Sequence, residues 1–181
     1  AAISVPMITF AKAGMHVLVI DSVYSPNREF CDGVLSQLGV EIEYFSPNIG
    51  EGIAELIRPN TGILMLEAPG SNSFEMCDIP LLTSIAHEKN KDCVVMMDNT
   101  WATPLFFKPL DHGVDISIHA LTKYPSGHAD ILMGGISANE ACFPRLRATT
   151  LAMGMCVGGD DAYMVLRGLR SMAVRLRHHE K

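Results

Sequence analysis

HVLVIDSVYSPNREFCDGVLSQLGV, residues 16–40, is the stretch on which the fold is read. Its first six residues form a short β-branched apolar run ending at a polar turn, the pattern of a strand buried on both faces. The remainder is helical in character. Between Ser25 and Gly39, Phe30, Val34 and Leu38 fall at i, i+4 and i+8 with Cys31 and Leu35 beside them, and Gly39 stands where a helix would close. The unit is therefore a strand followed by a helix.

Working outward, the alternation repeats. EIEYF (41–45) is followed by a short helix near 53–57, the strand GILMLEA (62–68), a helix over about 79–89, the strand CVVMMDN (93–99), then DISIHAL (115–121) and ILMGGIS (131–137). Such alternation predicts an α/β fold with a mostly parallel sheet and helices on both faces. Ligands of such sheets sit beyond the carboxyl ends of the strands, so the strand exits are where chemistry is expected. Upstream, AAISVPMITFAKAG (1–14) reads as helix, without a Ser, Thr, Asp or Asn cap before it. With no initiator Met, the chain is expected to be cut from a longer polypeptide. Downstream, a helix over about 160–180 places Val165, Leu166, Leu169, Met172 and Leu176 on a buried stripe, with Arg167, Arg170, Arg175 and Arg177 as solvated flanks. The pair Gly158-Gly159 is the nearest candidate boundary, and no fixed-period repeat or low-complexity tract interrupts the chain.

Composition bounds the function. The chain has 181 residues, 48% hydrophobic and 19% charged, enough apolar surface for one buried core. A net charge of -6 argues against nucleic acid or an anionic membrane as partner. The charge is uneven, with 7 Lys+Arg against 17 Asp+Glu in residues 1–140 and 7 against 3 in residues 141–181. No apolar run approaches the ~18 residues of a bilayer span, and no signal-peptide pattern is present. Five widely spaced cysteines without a C-x-x-C pair indicate neither a zinc site nor a disulfide framework, and a reducing cytoplasm fits them best.

Three strand exits carry chemistry-bearing residues. CVVMM runs into Asp98-Asn99-Thr100-Trp101, which makes Asp98 either a turn cap or an anchor for a cation. DISIHAL runs into Thr122-Lys123-Tyr124-Pro125-Ser126-Gly127-His128, where Lys123 is either a solvated loop lysine or an amine that attacks a carbonyl. HVLVI runs into Asp21-Ser22-Val23-Tyr24, which brings an aromatic ring to the same edge. An acid, a lysine and an aromatic at converging exits suit a pyridine aldehyde cofactor. Its ring draws electrons while its nitrogen stays protonated, a carboxylate maintains that proton, and an aromatic face stacks on the ring. Other candidates weigh less. The adjacent His178 and His179 point in different directions on a helix and read as a solvated tail rather than a metal pair. His128 reads as a turn or structural residue. The glycine-rich 154–159 lacks the Lys-Ser/Thr of a phosphate loop, and the eleven methionines read as core filler.

DNTWATPLFFKPLDHGVDISIHALTKYPSGHAD (98–130) closely resembles the cofactor-lysine signature of the Cys/Met-metabolism family of pyridoxal-phosphate enzymes. Matching segments occur at 21–40, at EAPGSNSFEMCDIP (67–80) and at RGLRSMAVRLRHHE (167–180), so the resemblance runs through essentially the whole chain. It implies the fold-type I, aminotransferase-like large domain, with residues 1–181 a part of it truncated at both ends and the last helix leading towards a C-terminal domain. It also implies pyridoxal 5'-phosphate as cofactor. In this resemblance Lys123 carries the cofactor covalently and serves catalysis, Asp98 pairs with the pyridine nitrogen, Tyr24 stacks on the ring and joins the catalytic set, and Thr122 helps hold the phosphate. Two positions depart from sister enzymes: Ala120 stands where a serine is common, and Gly70-Ser71-Asn72 stands where γ-synthases and γ-lyases read T-N-P. The Pro-Gly-Ser form is that of the β-lyase branch. The implied reaction is α,β-elimination of cystathionine to homocysteine, pyruvate and ammonia, a step of methionine biosynthesis. The alternatives are an inert fragment of the fold and a γ-lyase or γ-synthase relative. The implied partners are a small amino-acid thioether substrate and further copies of the chain in a homotetramer. By the same resemblance, a glycine loop upstream, a tyrosine and an arginine of a neighbouring subunit and a carboxylate-binding arginine lie outside these residues.

Overall fold

The apolar runs become the strands of one sheet. In the computed structural model, which describes residues 1–181, these are β1 (His16–Ile20), β2 (Glu41–Phe45), β3 (Thr61–Glu67), β4 (Val94–Asp98), β5 (Ile116–Ala120) and β6 (Gly134–Ala138). Their order is β2-β1-β3-β4-β5-β6. The first five strands pair in parallel and β6 pairs antiparallel with β5, with Ile136 opposite Ile118. Every residue of β1 is buried, as are Ile63–Leu66 of β3 and Val95–Met97 of β4, because helices cover both faces of the central strands. Met7, Met65, Met96 and Met97 are among the largest side chains buried in this core.

The helices are α1 (Ser4–Phe10), α2 (Ser25–Phe30), α3 (Ile53–Leu56), α4 (Ile79–Lys89), α5 (Thr103–Phe106), α6 (Phe143–Ala152) and α7 (Gly159–His179). At α4 the local chemistry is plain: the Asp78 side chain accepts the Leu81 N–H at 3.0 Å, and Pro80 occupies the first turn. No helix is long and apolar enough to cross a membrane.

Several expectations are corrected. The N-terminal helix is shorter than 1–14, since the chain is already extended at Ala11. The helix after β1 changes character: beyond Phe30 it widens into a π-helical stretch, Cys31–Leu35, in which Ser36 N–H donates to Cys31 O five residues back. Its buried stripe is Asn27, Cys31 and Leu35, while Val34 and Leu38 face outward. The periodicity admitted either stripe, and contact with the sheet selects the second. Gly39 closes the segment at φ +80°, as a left-handed position requires. On α7 the buried residues are Val165, Gly168 and Leu176, whereas Leu166 and Leu169 are exposed. Arg175 is no solvated flank. Its Nη2 donates to Gly168 O at 2.8 Å and Pro125 O at 3.4 Å, which draws α7 onto the loop after β5. Gly168 permits that contact, because a Cβ there would lie 2.2 Å from Pro125 O.

Candidate active site

Strands β1, β3, β4 and β5 are neighbours, so their carboxyl ends deliver four loops to one edge. A cavity of about 600 Å³ lies there, lined in part by Tyr24, Glu67, Asp98, Thr122 and Lys123. The four sequence-derived candidates, Tyr24, Asp98, Thr122 and Lys123, are thus brought to the same wall. A second cavity of about 500 Å³ continues past Lys123 towards Arg175 and His179.

Asp98 ends β4 and is only 8% exposed. Its Oδ1 accepts the Thr100 main-chain N–H at 2.9 Å. Burial pushes its pKa upward, against the pull of the Thr100 hydrogen bonds and the Lys123 charge. The Thr100 hydroxyl in turn accepts the Ala120 N–H at 2.9 Å, tying the β4 exit to the end of β5. Asp98 is therefore a turn cap, one of the two readings left open by the sequence, and it also lines the cavity.

Lys123 sits in a tight turn after β5. Its N–H donates to Ala120 O at 3.1 Å, and its carbonyl accepts the Gly127 N–H at 2.8 Å. The side chain is exposed, makes no ion pair, and places Nζ 5.6 Å from the centroid of the Tyr24 ring. Thr122 is engaged locally: its hydroxyl donates to Met133 O at 3.2 Å and accepts the Met133 N–H at 2.9 Å, which staples the lysine loop to the approach of β6. His128 is a turn residue, with Nδ1 donating to Ser126 O at 2.7 Å.

Sequence reasoning missed Glu67, and it read Ser71 only as part of Gly70-Ser71-Asn72. Glu67 ends β3 as Asp98 ends β4, and the two stand opposite each other in register. Its Oε2 accepts the Tyr24 N–H at 2.9 Å, and its Oε1 is bonded to the Ser71 hydroxyl. Burial pushes Glu67 up to about 7, with Asp98 adding to the rise and Ser71, the Tyr24 N–H and Lys123 opposing it. The available signal was the same as for Asp98, an acid closing an apolar strand. Trp101, the only tryptophan, lines both cavities and meets Phe74 edge-on at 5.3 Å between ring centroids.

This donor set has a net deficit of positive charge, with two buried acids facing a single lysine. A flat ligand with an aldehyde for Lys123 and a ring nitrogen able to take a proton beside Asp98 would supply the missing charge, and its face would meet Tyr24. The residues therefore fit pyridoxal phosphate.

A sequence model of the family described as "Cys/Met metabolism PLP-dependent enzyme" matches residues 1–181. A Rhizobium johnstonii protein is 58% identical over 179 residues, which are 99% of this chain and 45% of that protein. The cystathionine beta-lyase of Haemophilus influenzae is 44% identical over 181 residues, all of this chain and 46% of that one. The crystal structure of metB from Corynebacterium glutamicum superposes with a TM-score of 0.91 at 26% identity, covering 96% of this chain and 45% of that one. The chain thus spans about half the length of these relatives. On the family match and the shared fold together, it belongs to the Cys/Met metabolism family of pyridoxal 5'-phosphate-dependent enzymes, with the mostly parallel α/β architecture of fold-type I.

Proposed function

We propose that the full-length protein carrying this chain is a carbon–sulfur lyase that cleaves cystathionine by α,β-elimination, with Lys123, Asp98, Tyr24 and Thr122 as its site residues. The observation that carries this reading is the convergence of Lys123, Asp98 and Tyr24 on one cavity at the exits of adjacent strands. Pyridoxal phosphate, when bound, supplies an electron sink for the charge left as the substrate loses its α-proton.

The chain's own residues do the rest. Lys123 is the one lysine lining the cavity, so it is the group to hold the aldehyde and to take a proton from the substrate Cα. Asp98, buried and short of a cationic partner, holds a proton on the ring nitrogen by charge complementarity. Tyr24 covers the ring face, and its hydroxyl can act beside Lys123. Thr122 borders the cavity on the lysine side, where its hydroxyl or the neighbouring main chain can meet the phosphate. Pro69-Gly70-Ser71 supports the β over the γ reaction, and the name of the Haemophilus influenzae relative points the same way. We further propose that the protein works as a homo-oligomer.

The test is a product assay of the full-length protein with cystathionine. The β reaction releases pyruvate and homocysteine; release of 2-oxobutanoate and cysteine instead would assign the γ reaction and overturn the proposal.

A further inference from the structure

The strand order turns between β1 and β3. From these neighbours the sheet grows to β2 on one side and to β4, β5 and β6 on the other, so the loops leaving them diverge and open a cleft. Glu67 spans that cleft. It is 3% exposed, accepts the Tyr24 N–H from the β1 loop, and is bonded to the Ser71 hydroxyl of its own loop. Two further contacts lace the same loops: Ser71 N–H donates to Ser22 O at 3.0 Å, and a Cβ on Gly70 would come within 2.5 Å of the Ser22 Cβ. Tyr24 is 43% exposed, so the place of its ring depends on how its main chain is held more than on core packing.

We propose that Glu67 is a positioning residue of this site: its carboxyl group fixes the Tyr24 main chain and the Ser71 hydroxyl at the cavity wall, and through them the place of the Tyr24 ring against the ligand. The inference rests on the reading above for the ligand's identity alone. Its chemistry follows from what each partner can do. The Tyr24 N–H can only donate, so Oε2 accepts from it whether or not the group is ionised. The Ser71 hydroxyl donates to Oε1 of the carboxylate and accepts from Oε1 of the acid. The charged groups facing Glu67 are Asp98 from β4 and Lys123 from the loop after β5, the first favouring the acid and the second the carboxylate. A proton held here therefore reverses the sense of the Ser71 hydroxyl at the cavity and leaves the Tyr24 anchor in place.

The experiment uses the full-length protein, its Glu67→Gln and Glu67→Ala forms, and ¹⁵N-tyrosine labelling. Without cofactor, the Tyr24 amide proton should titrate near neutral pH in the wild type and lose that titration in Glu67→Gln. By equilibrium dialysis, Glu67→Ala should bind pyridoxal phosphate about tenfold or more weakly, the scale of one charge-assisted hydrogen bond, with Glu67→Gln recovering most of the loss. An amide titration unchanged in Glu67→Gln, or wild-type affinity in Glu67→Ala, overturns the proposal. A wild type that titrates as expected but binds no pyridoxal phosphate would instead overturn the functional reading and leave the Glu67–Tyr24 anchor standing.

Discussion

Two clusters, one at each end of the sheet, treat charge in opposite ways. At the amino end, Arg58 bridges Glu41 and Glu43, each at 2.5 Å, while the buried His16 gives Nε2 to Glu43 at 3.0 Å and meets the Thr61 hydroxyl through Nδ1 at 2.8 Å. Within this cluster Arg58 pairs with both acids. At the carboxyl end, Glu67 and Asp98 are buried side by side, and Lys123 makes no ion pair. The first arrangement closes a surface. The second leaves an imbalance that a cationic ring can relieve, which is how a binding site differs from a structural network.

The strongest way to break this contrast is Asp98→Asn in the full-length protein. The amide keeps the shape but removes the charge proposed to hold a proton on the ring, so turnover should fall by about a thousandfold, roughly 4 kcal/mol of barrier, with a much smaller loss of cofactor affinity. Steady-state kinetics beside a binding titration separate the two, and near wild-type turnover would end the role given to Asp98.

A second effect is sharper in pH than in size. Because the folded-state pKa of Glu67 is raised to about 7, cofactor-free folded protein holds a proton that the unfolded chain has released above about 4.5. That contribution is present at low pH and is lost as pH rises through about 7. Glu67→Gln should therefore gain stability relative to wild type between pH 5 and pH 8, by an amount on the order of 3 kcal/mol for a shift of this size. Urea denaturation at the two pH values measures it, and a difference independent of pH would contradict the charge deficit. The smallest effect belongs to the amino end. Arg58→Ala should leave turnover unchanged and lower thermal stability slightly, more at low salt than at high, because its ion pairs are solvent-exposed.

The contrast also accounts for what was legible in the sequence. The strands were, because burial on both faces demands continuous apolar runs, and so were Asp98 and Lys123, which break those runs at their carboxyl ends. Tyr24 was found by the same rule. Glu67 obeys it equally, yet its partner lies 43 residues away, and a hydrogen bond to a main-chain N–H leaves no trace in residue types. The phase of the helix after β1 was hidden because Phe30-Val34-Leu38 and Asn27-Cys31-Leu35 are neighbouring rows offset by three residues, and the π-helical stretch is not encoded in apolar spacing. The fit of α7 against the lysine loop turns on Gly168, whose meaning depends on a main chain some forty residues earlier. Helix α6 buries only Leu146, too little for a periodic signal.

Trapping the cofactor bears on the central claim most directly. The full-length protein incubated with pyridoxal phosphate, reduced with borohydride and digested should yield one labelled peptide, with the pyridoxyl group on Lys123. A label on Lys108 or Lys89, or none at all, would contradict the assignment of this strand edge as the active site.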